Sequence, residues 1–523
     1  MPVVTRLPSI EPGVAPSVRP SSYTQPVVPP AAGNNELLRR LEATEAELAA
    51  LRQMAGGENR QRLLPASQLQ DAPDSVVDDE STLQRLDALE RSAAASNERL
   101  PLIRLSGFFQ LDDAFVDQSA NNRAIFGDVF GGVTFRRVRL QALGNVAEFT
   151  RYSIEVDFAV FGRPSFMDVW GEQTNLPFFG AIRLGHFRQP TTMDALTSVR
   201  HLEFLERNAT FWAMDPFRRT GIMAYRVAED ELSTLAYSMY ATGFTFFNGV
   251  DTTYGTLGDT RYGTEIGDSG GVSFAIRGTK LLYYDEPAEG AYLLHVGGGY
   301  NFSSIGGEGT TGNYAKTYQA RTVPEYFQGD LGGNGLTAAG TPFVLDTGRI
   351  LAHSFNFWHS ELAGNYGPAH FQTEFLATSV NQFDGPQLFY YGTYLQAGFF
   401  LTGEHAGYNR QTGVLDYNVK PFREFFGLGK RGMCGWGAWE IAGRWTYLNL
   451  NNVGLNPANQ LSNSPGPPPS PNAGQLNEST LAVNWWWNQY TRVQFNWIHT
   501  MLDNNGRGPS TMNTFASRFQ IEF

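Results

Sequence analysis

Arginine supplies nearly all of the positive charge: of 39 cationic residues, only Lys280, Lys316, Lys420 and Lys430 are lysines. A guanidinium offers a planar fork of donors to an oxyanion and stays charged at any working pH, so arginines gathered on one surface would attract small anions. Read at the two-residue period of a strand, Arg137 and Arg139 share a face with Gln141, opposite Val138, Leu140 and Ala142. Arg183 and Arg277 take the polar side of their own stretches in the same way, while Arg200 and Arg207 stand in a turn-rich run, 190–216. Arg136 falls on the apolar side unless a bulge turns it. Glu155, Asp157 and Glu440 hold equivalent polar positions, so an ordinary, charge-balanced wet surface is the rival reading.

Other constellations weigh less. Gly267-Asp268-Ser269-Gly270-Gly271 fits the nucleophile-elbow pattern, but a strand pattern rather than a helix follows Ser269. His353 and His359 lie about 20 Å apart on one strand face, too far to share an ion. Adjacent Asp112 and Asp113 point to opposite faces and cannot work on one bond as glycosidase pairs do. Gly297-Gly298-Gly299 lacks the Lys and Ser/Thr of a phosphate-cradling loop and reads as relief for strand curvature. Cys434, the single cysteine, allows neither an internal disulfide nor a thiolate cluster. No catalytic residue, cofactor or metal site is expected.

The elements that must position these arginines are strands. From residue 102 to the end apolar and polar side chains alternate, as in Tyr152, Ile154, Val156 and Phe158 against Arg151, Ser153, Glu155 and Asp157, or Ile441 and Trp445 against Glu440 and Arg444. Sixteen such segments can be counted, among them 149–160, 232–248, 479–488 and 512–523. No run of 18 apolar residues forms a membrane helix, yet alternation of this kind is how a membrane-spanning barrel hides its hydrophobicity. Tight turns such as 144–148 and 364–368 alternate with long connections at 190–216, 249–270, 304–349 and 451–478. The long 402–434 connection breaks the rhythm, so a strand is missed or miscounted there. Trp and Tyr cluster near strand ends, at Trp358, Tyr366, Tyr390, Trp436, Trp439, Trp485 to Trp487 and Tyr490, as rings at a headgroup layer would. The expected fold is all-β, a 16-stranded antiparallel transmembrane β-barrel over residues 101–523, preceded by an α-helical coiled-coil segment.

That segment occupies 36–100. Leu37, Leu41, Thr44, Leu48 and Leu51 make a seam of under three heptads, which implies packing against copies of itself or another partner. Residues 1–35, with eight prolines, read as extended chain without the apolar run of a secretory signal, so the expectation is that a signal was removed or the start lies elsewhere. A net charge of −12 argues against nucleic acid as a partner.

Several stretches match a family in order. They are Leu105-Ser106-Gly107-Phe108-Phe109-Gln110, Phe135-Arg136-Arg137-Val138-Arg139-Leu140, Ile182-Arg183-Leu184-Gly185-His186-Phe187, Leu205-Glu206-Arg207-Asn208, Gly437-Ala438-Trp439-Glu440 with Arg444-Trp445, Leu481-Ala482-Val483-Asn484-Trp485, and Arg518-Phe519-Gln520-Ile521-Glu522-Phe523. With them the chain resembles the phosphate-selective porins O and P. The resemblance implies a barrel in the outer membrane of a Gram-negative-type bacterium, with lipid around it, a homotrimeric assembly and passive uptake of small hydrophilic solutes or anions. It makes Arg136, Arg137, Arg139, Arg183, Arg200, Arg207 and Arg277 candidates to line the pore. Phosphate-type members carry arginines in a central loop, whereas 304–349 offers only Lys316, Arg321 and Arg349, so phosphate itself is one option among several. The alternative is a structural barrel that tethers the outer membrane to a periplasmic partner or the cell wall through its N-terminal segment.

Overall fold

The computed structural model describes residues 100–129, 131–159, 165–242, 271–306, 316–326, 341–426, 435–461, 473–504 and 506–523. The extended segment 1–35 and the coiled coil of 36–100 fall outside these residues, Leu100 aside, as do Ser269 and Cys434. Sixteen long strands follow one another: β1 Leu102–Gln118, β2 Gly132–Ala147, β3 Thr150–Asp157, β4 Ser165–Leu176, β5 Gly180–Arg188, β6 Arg218–Val227, β7 Ser233–Ala241, β8 Val272–Tyr284, β9 Tyr292–Ser304, β10 Arg349–Tyr366, β11 Ala369–Gln382, β12 Leu388–Phe400, β13 Ala438–Asn449, β14 Gln475–Asn488, β15 Thr491–Asn504 and β16 Gly508–Glu522. Each pairs antiparallel with the next. β1 pairs with β16 from Phe108↔Glu522 to Gln118↔Met512, which closes the sheet and leaves no strand edge to lipid.

Burial follows the alternation with its usual sense inverted. Phe115, Phe274, Leu395, Ile441, Leu481, Phe495 and Phe515 are exposed on the outer face. Their polar neighbours, including Gln110, Asp112, Glu440, Arg444, Glu478, Gln494 and Arg518, are buried inside. A greasy outside and a polar inside suit a barrel solvated by lipid. Some expected features shift. Three are strand ends: β3 stops at Asp157, and β14 and β16 begin earlier, at Gln475 and Gly508. A fourth concerns the aromatic belt, because Tyr390 and Trp486 are buried on the inner side, where the Tyr390 hydroxyl donates to Asn452 and Trp486 packs on Phe400, while Trp485 and Trp439 stack outside at 4.8 Å.

Tight turns gather at the end of the barrel where β1 starts and β16 ends. At the turn joining β10 to β11, Gly367 has φ of 59°, a conformation that glycine adopts without strain. Against the expectation of a missed strand, the long 401–437 connection between β12 and β13 holds no barrel strand among its described residues. It leaves from this tight-turn end and carries a small hairpin, Gly407–Asn409 with Val414–Asp416. Arg277 of β8 ties that hairpin to the wall by donating to the Thr412 and Gly413 carbonyls, both at 2.7 Å. Asn365 of β10 donates to the Ala406 carbonyl at 2.6 Å. Inside, Val414, Leu415 and Tyr417 pack with Leu281, Phe400 and Trp486, so the segment folds into the lumen.

Candidate functional site

The other inward segment, residues 189–217, enters from the opposite end, between β5 and β6. It contains two short helices, α1 Met193–Leu196 and α2 Ala209–Met214, capped by Thr192 and Asn208 through their side-chain oxygens. Arg188 and Arg207 close the C-terminal end of α1: Arg188 donates to the Leu196 and Thr197 carbonyls at 2.8 and 2.9 Å, and Arg207 to those of Asp194 and Thr197 at 2.7 Å each. Cations suit the negative end of a helix, and here they replace the water a buried terminus lacks.

Between the helices the chain crosses to the far wall and is held there by its backbone. Gln110 of β1 donates to the Val199 carbonyl at 3.0 Å, Arg492 of β15 to those of Arg200 and Leu202 at 2.6 and 2.9 Å, and Gln520 of β16 to that of Arg200 at 2.8 Å. Asn484 of β14 donates to the Glu203 carbonyl at 2.8 Å, and Arg444 of β13 to that of Glu206 at 2.9 Å. The polar inner face of β1 and β13–β16 is therefore largely a docking surface for this segment. Glu206 locks it. Its carboxylate takes Arg136 and Arg137 at 2.8 Å each and Arg518 at 3.0 Å. Burial pushes that carboxyl up, but the three guanidiniums together outweigh it and hold Glu206 well below the usual carboxylate range.

The seven candidate arginines thus part company. Arg136 reaches Glu206 because the β1–β2 register slips between Gln110↔Arg137 and Leu111↔Phe135, so Arg136 is the extra residue of a bulge and turns inward. Arg136 and Arg137 anchor the crossing segment, Arg207 braces α1, and Arg277 holds the 401–437 hairpin and pairs with Glu361 at 2.8 Å. Arg139 is buried against Asp157 at 2.7 Å. Arg183 and Arg200 are the half-buried ones. Arg183 lies 4.0 Å over the Trp170 ring and pairs with Glu172 at 2.7 Å; Arg200 lies 4.9 Å over Phe108 and donates to Ser106 at 3.2 Å.

They do not stand alone. Arg151 of β3 shares Glu172 with Arg183 and with the Tyr225 hydroxyl, and Arg218 of β6 pairs with Asp168 at 2.7 Å. Together with Gln141, these groups line the inner face of the β2–β6 arc with polar side chains, of which Arg151, Arg183 and Gln141 are only partly buried. Arg188, Arg218 and Arg492 are not among the sequence candidates. Alternation puts Arg151, Arg444 and Arg518 on polar faces, but it does not give their partners: Arg444 and Arg518 meet Glu206 and its neighbours hundreds of residues away, and Arg151 meets Glu172 across the β3–β4 pair.

The two inward segments also meet. His201 Nδ1 lies 2.6 Å from Asp416 of the 401–437 hairpin, and Nε2 lies 3.6 Å from Glu522. Burial lowers the His201 pKa, but hydrogen bonds to these two carboxylates outweigh it, so the imidazole stays protonated above its ordinary range.

The family described as phosphate-selective porin O and P matches residues 103–523, the barrel and its inward segments. The chain belongs to that family. It is an outer-membrane porin. Solved structures with a similar fold include the trimer form of OmpT, an outer membrane protein of Vibrio cholerae, at 10% identity over 81% of this chain and 99% of that one, with a TM-score of 0.43. Others are an anion-selective porin from Comamonas acidovorans, at 12% identity over 80% and 99% with a TM-score of 0.43, and Pseudomonas putida OprB at high pH, at 8% identity over 85% and 97% with a TM-score of 0.42. No curated protein matches the chain.

Proposed function

We propose that this porin passes small hydrophilic solutes, anions preferentially, along the β2–β6 arc of its lumen. The observation that carries the reading is the half-buried arginine set, Arg151 of β3 and Arg183 of β5 on the inner wall with Arg200 of the 189–217 segment, whose guanidinium reaches Gln141 of β2. Each guanidinium rests on an aromatic ring or shares a carboxylate, so its position is fixed while donors remain for a passing oxyanion. Glu155, Asp157, Asp168 and Glu172 stand among them, and such interleaving favours weak, fast binding over a tight phosphate trap. The anchoring arginines, Arg136, Arg137, Arg207 and Arg277, line this path only indirectly, by fixing the segments that narrow it. Phosphate is one of the anions admitted. The assembly is a homotrimer whose N-terminal segment projects into the periplasm.

The test is single-channel recording from the purified protein in planar bilayers, with the reversal potential read in a chloride gradient and phosphate then titrated. A reversal potential favouring chloride with shallow phosphate block supports this reading. Cation preference refutes it. A silent barrel would favour the tethering role, which draws support from the lumen being entered from both ends.

A further inference from the structure

We infer that the lumen carries a divalent transition-metal site formed by His359 and Glu361 of β10 and Glu374 of β11. One ligand atom from each residue can be chosen so that all three lie within 4.8 Å of one another, and all three side chains are buried. The register places Glu361 directly opposite Glu374, so two carboxylates face each other across the strand pair, with His359 two residues along on the same face.

Three observations point to a cation between them. First, His359 is only 6% exposed, yet among the described residues neither ring nitrogen has a hydrogen-bond partner. A buried imidazole with both nitrogens unused is costly, and a metal is the partner that a neutral imidazole accepts. Second, charge is unbalanced: Arg277 at 2.8 Å serves Glu361, while among the described residues Glu374 accepts only from neutral donors, the Met193 and Asp194 amides and the Tyr394 hydroxyl. Third, the neighbouring strand has been cleared. A Cβ on Gly297 would meet Glu361 Oε1 at 2.1 Å, and one on Gly299 would meet His359 Nε2 at 2.4 Å. The two glycines give His359 and Glu361 room to lie flat across β9.

A second cluster of the same composition shows the contrast. His370 sits between Glu203 and Glu440, with Nε2 at 2.9 and 3.2 Å from their oxygens, so the imidazole itself fills the place between the two carboxylates there. At His359 the imidazole makes no such contact, and the place between the carboxylates is left to another charge. One imidazole and two carboxylates suit Zn²⁺, Mn²⁺ or Fe²⁺. Bonds of about 2.0–2.2 Å draw tetrahedral ligand atoms to about 3.5 Å apart, a closure within side-chain rotation. Because Glu374 also holds the first amides of α1, the ion would stiffen the root of the inward segment.

The experiment uses the full chain in detergent, stripped with chelator and titrated with Zn²⁺ by calorimetry, with Co²⁺ absorption as a second readout. One ion per chain is expected. His359→Gln, similar in size but a poor ligand, should weaken it by at least about tenfold, while His370→Gln should leave it unchanged. Heat-modifiable gel migration checks that each variant is folded, and should His359→Gln fail to fold, Glu374→Gln replaces it. No binding by the native chain, equal binding by His359→Gln, or loss in His370→Gln would each overturn the assignment.

Discussion

Glu206→Gln tests the anchoring scheme most directly. The amide keeps the shape of the side chain but removes the charge shared by Arg136, Arg137 and Arg518. Breaking a buried ion pair by deleting one partner costs about 3–5 kcal/mol, because the other charge is left uncompensated. Two partners have fallbacks here: Arg518 keeps Asp112 at 2.7 Å through two bonds, and Arg137 keeps Gln110 at 2.8 Å. The lower figure, about 3 kcal/mol, is therefore the appropriate one, and it raises the released population of the 189–217 segment by a little over about a hundredfold. The backbone bonds to Gln110, Asn484 and Arg492 remain, so the barrel itself should insert and fold normally. Single-channel records should then show frequent excursions to a larger conductance, and trypsin should cut at Arg200 or Arg207, where the native protein is expected to resist. The lumen also gains one net positive charge, which should move the reversal potential further toward anions. Native conductance, native noise and native protease resistance in a folded Glu206→Gln variant would refute the idea that this carboxylate holds the segment.

Three further outcomes follow from the same geometry. Arg183→Gln should reduce anion preference by a few-fold in permeability ratio without altering detergent stability, as read from reversal potentials. The His201 tie to Asp416 should be complete below the ordinary histidine value of about 6.5 and fade as pH rises through the raised value, since the folded state holds that proton longer. Conductance should therefore climb or grow noisier on the alkaline side, and His201→Gln should flatten that dependence in recordings taken across the range. Gly299→Val should lower the yield of heat-modifiable barrel, at a cost of about 1–3 kcal/mol, because the new side chain overlaps His359 where Gly299 leaves room. Normal refolding of that variant would show that the glycine is there for curvature alone.

The barrel was legible because its signal is local. Ile441 and Trp445 against Glu440 and Arg444 declare two faces within a few residues, and all sixteen strands announce themselves so. Arg136 shows where that logic stops: parity sends it to lipid, and only a register slip in the partner strand brings it to Glu206. The 401–437 connection stood out by length, but its path into the lumen depends on Arg277, Asn365 and His201, contacts made far along the chain. Inner arginines could be named from one strand at a time. Whether each faces a solute or a loop is a question of tertiary partners, to which a two-residue period is blind. The same limit applies to His359: along its own strand the nearest histidine is His353, while Glu361 and Glu374 are brought together with it only by the pairing of two strands.

The crossing segment is gripped mostly by its carbonyls, which every amino acid carries alike. Holding and lining are thereby separated: substitutions at Ser198 or Arg200 can change what the passage discriminates while Gln110, Arg492 and Gln520 keep their acceptors. A barrel built this way can acquire new solutes by drift in one short stretch, with its frame and its mould left untouched.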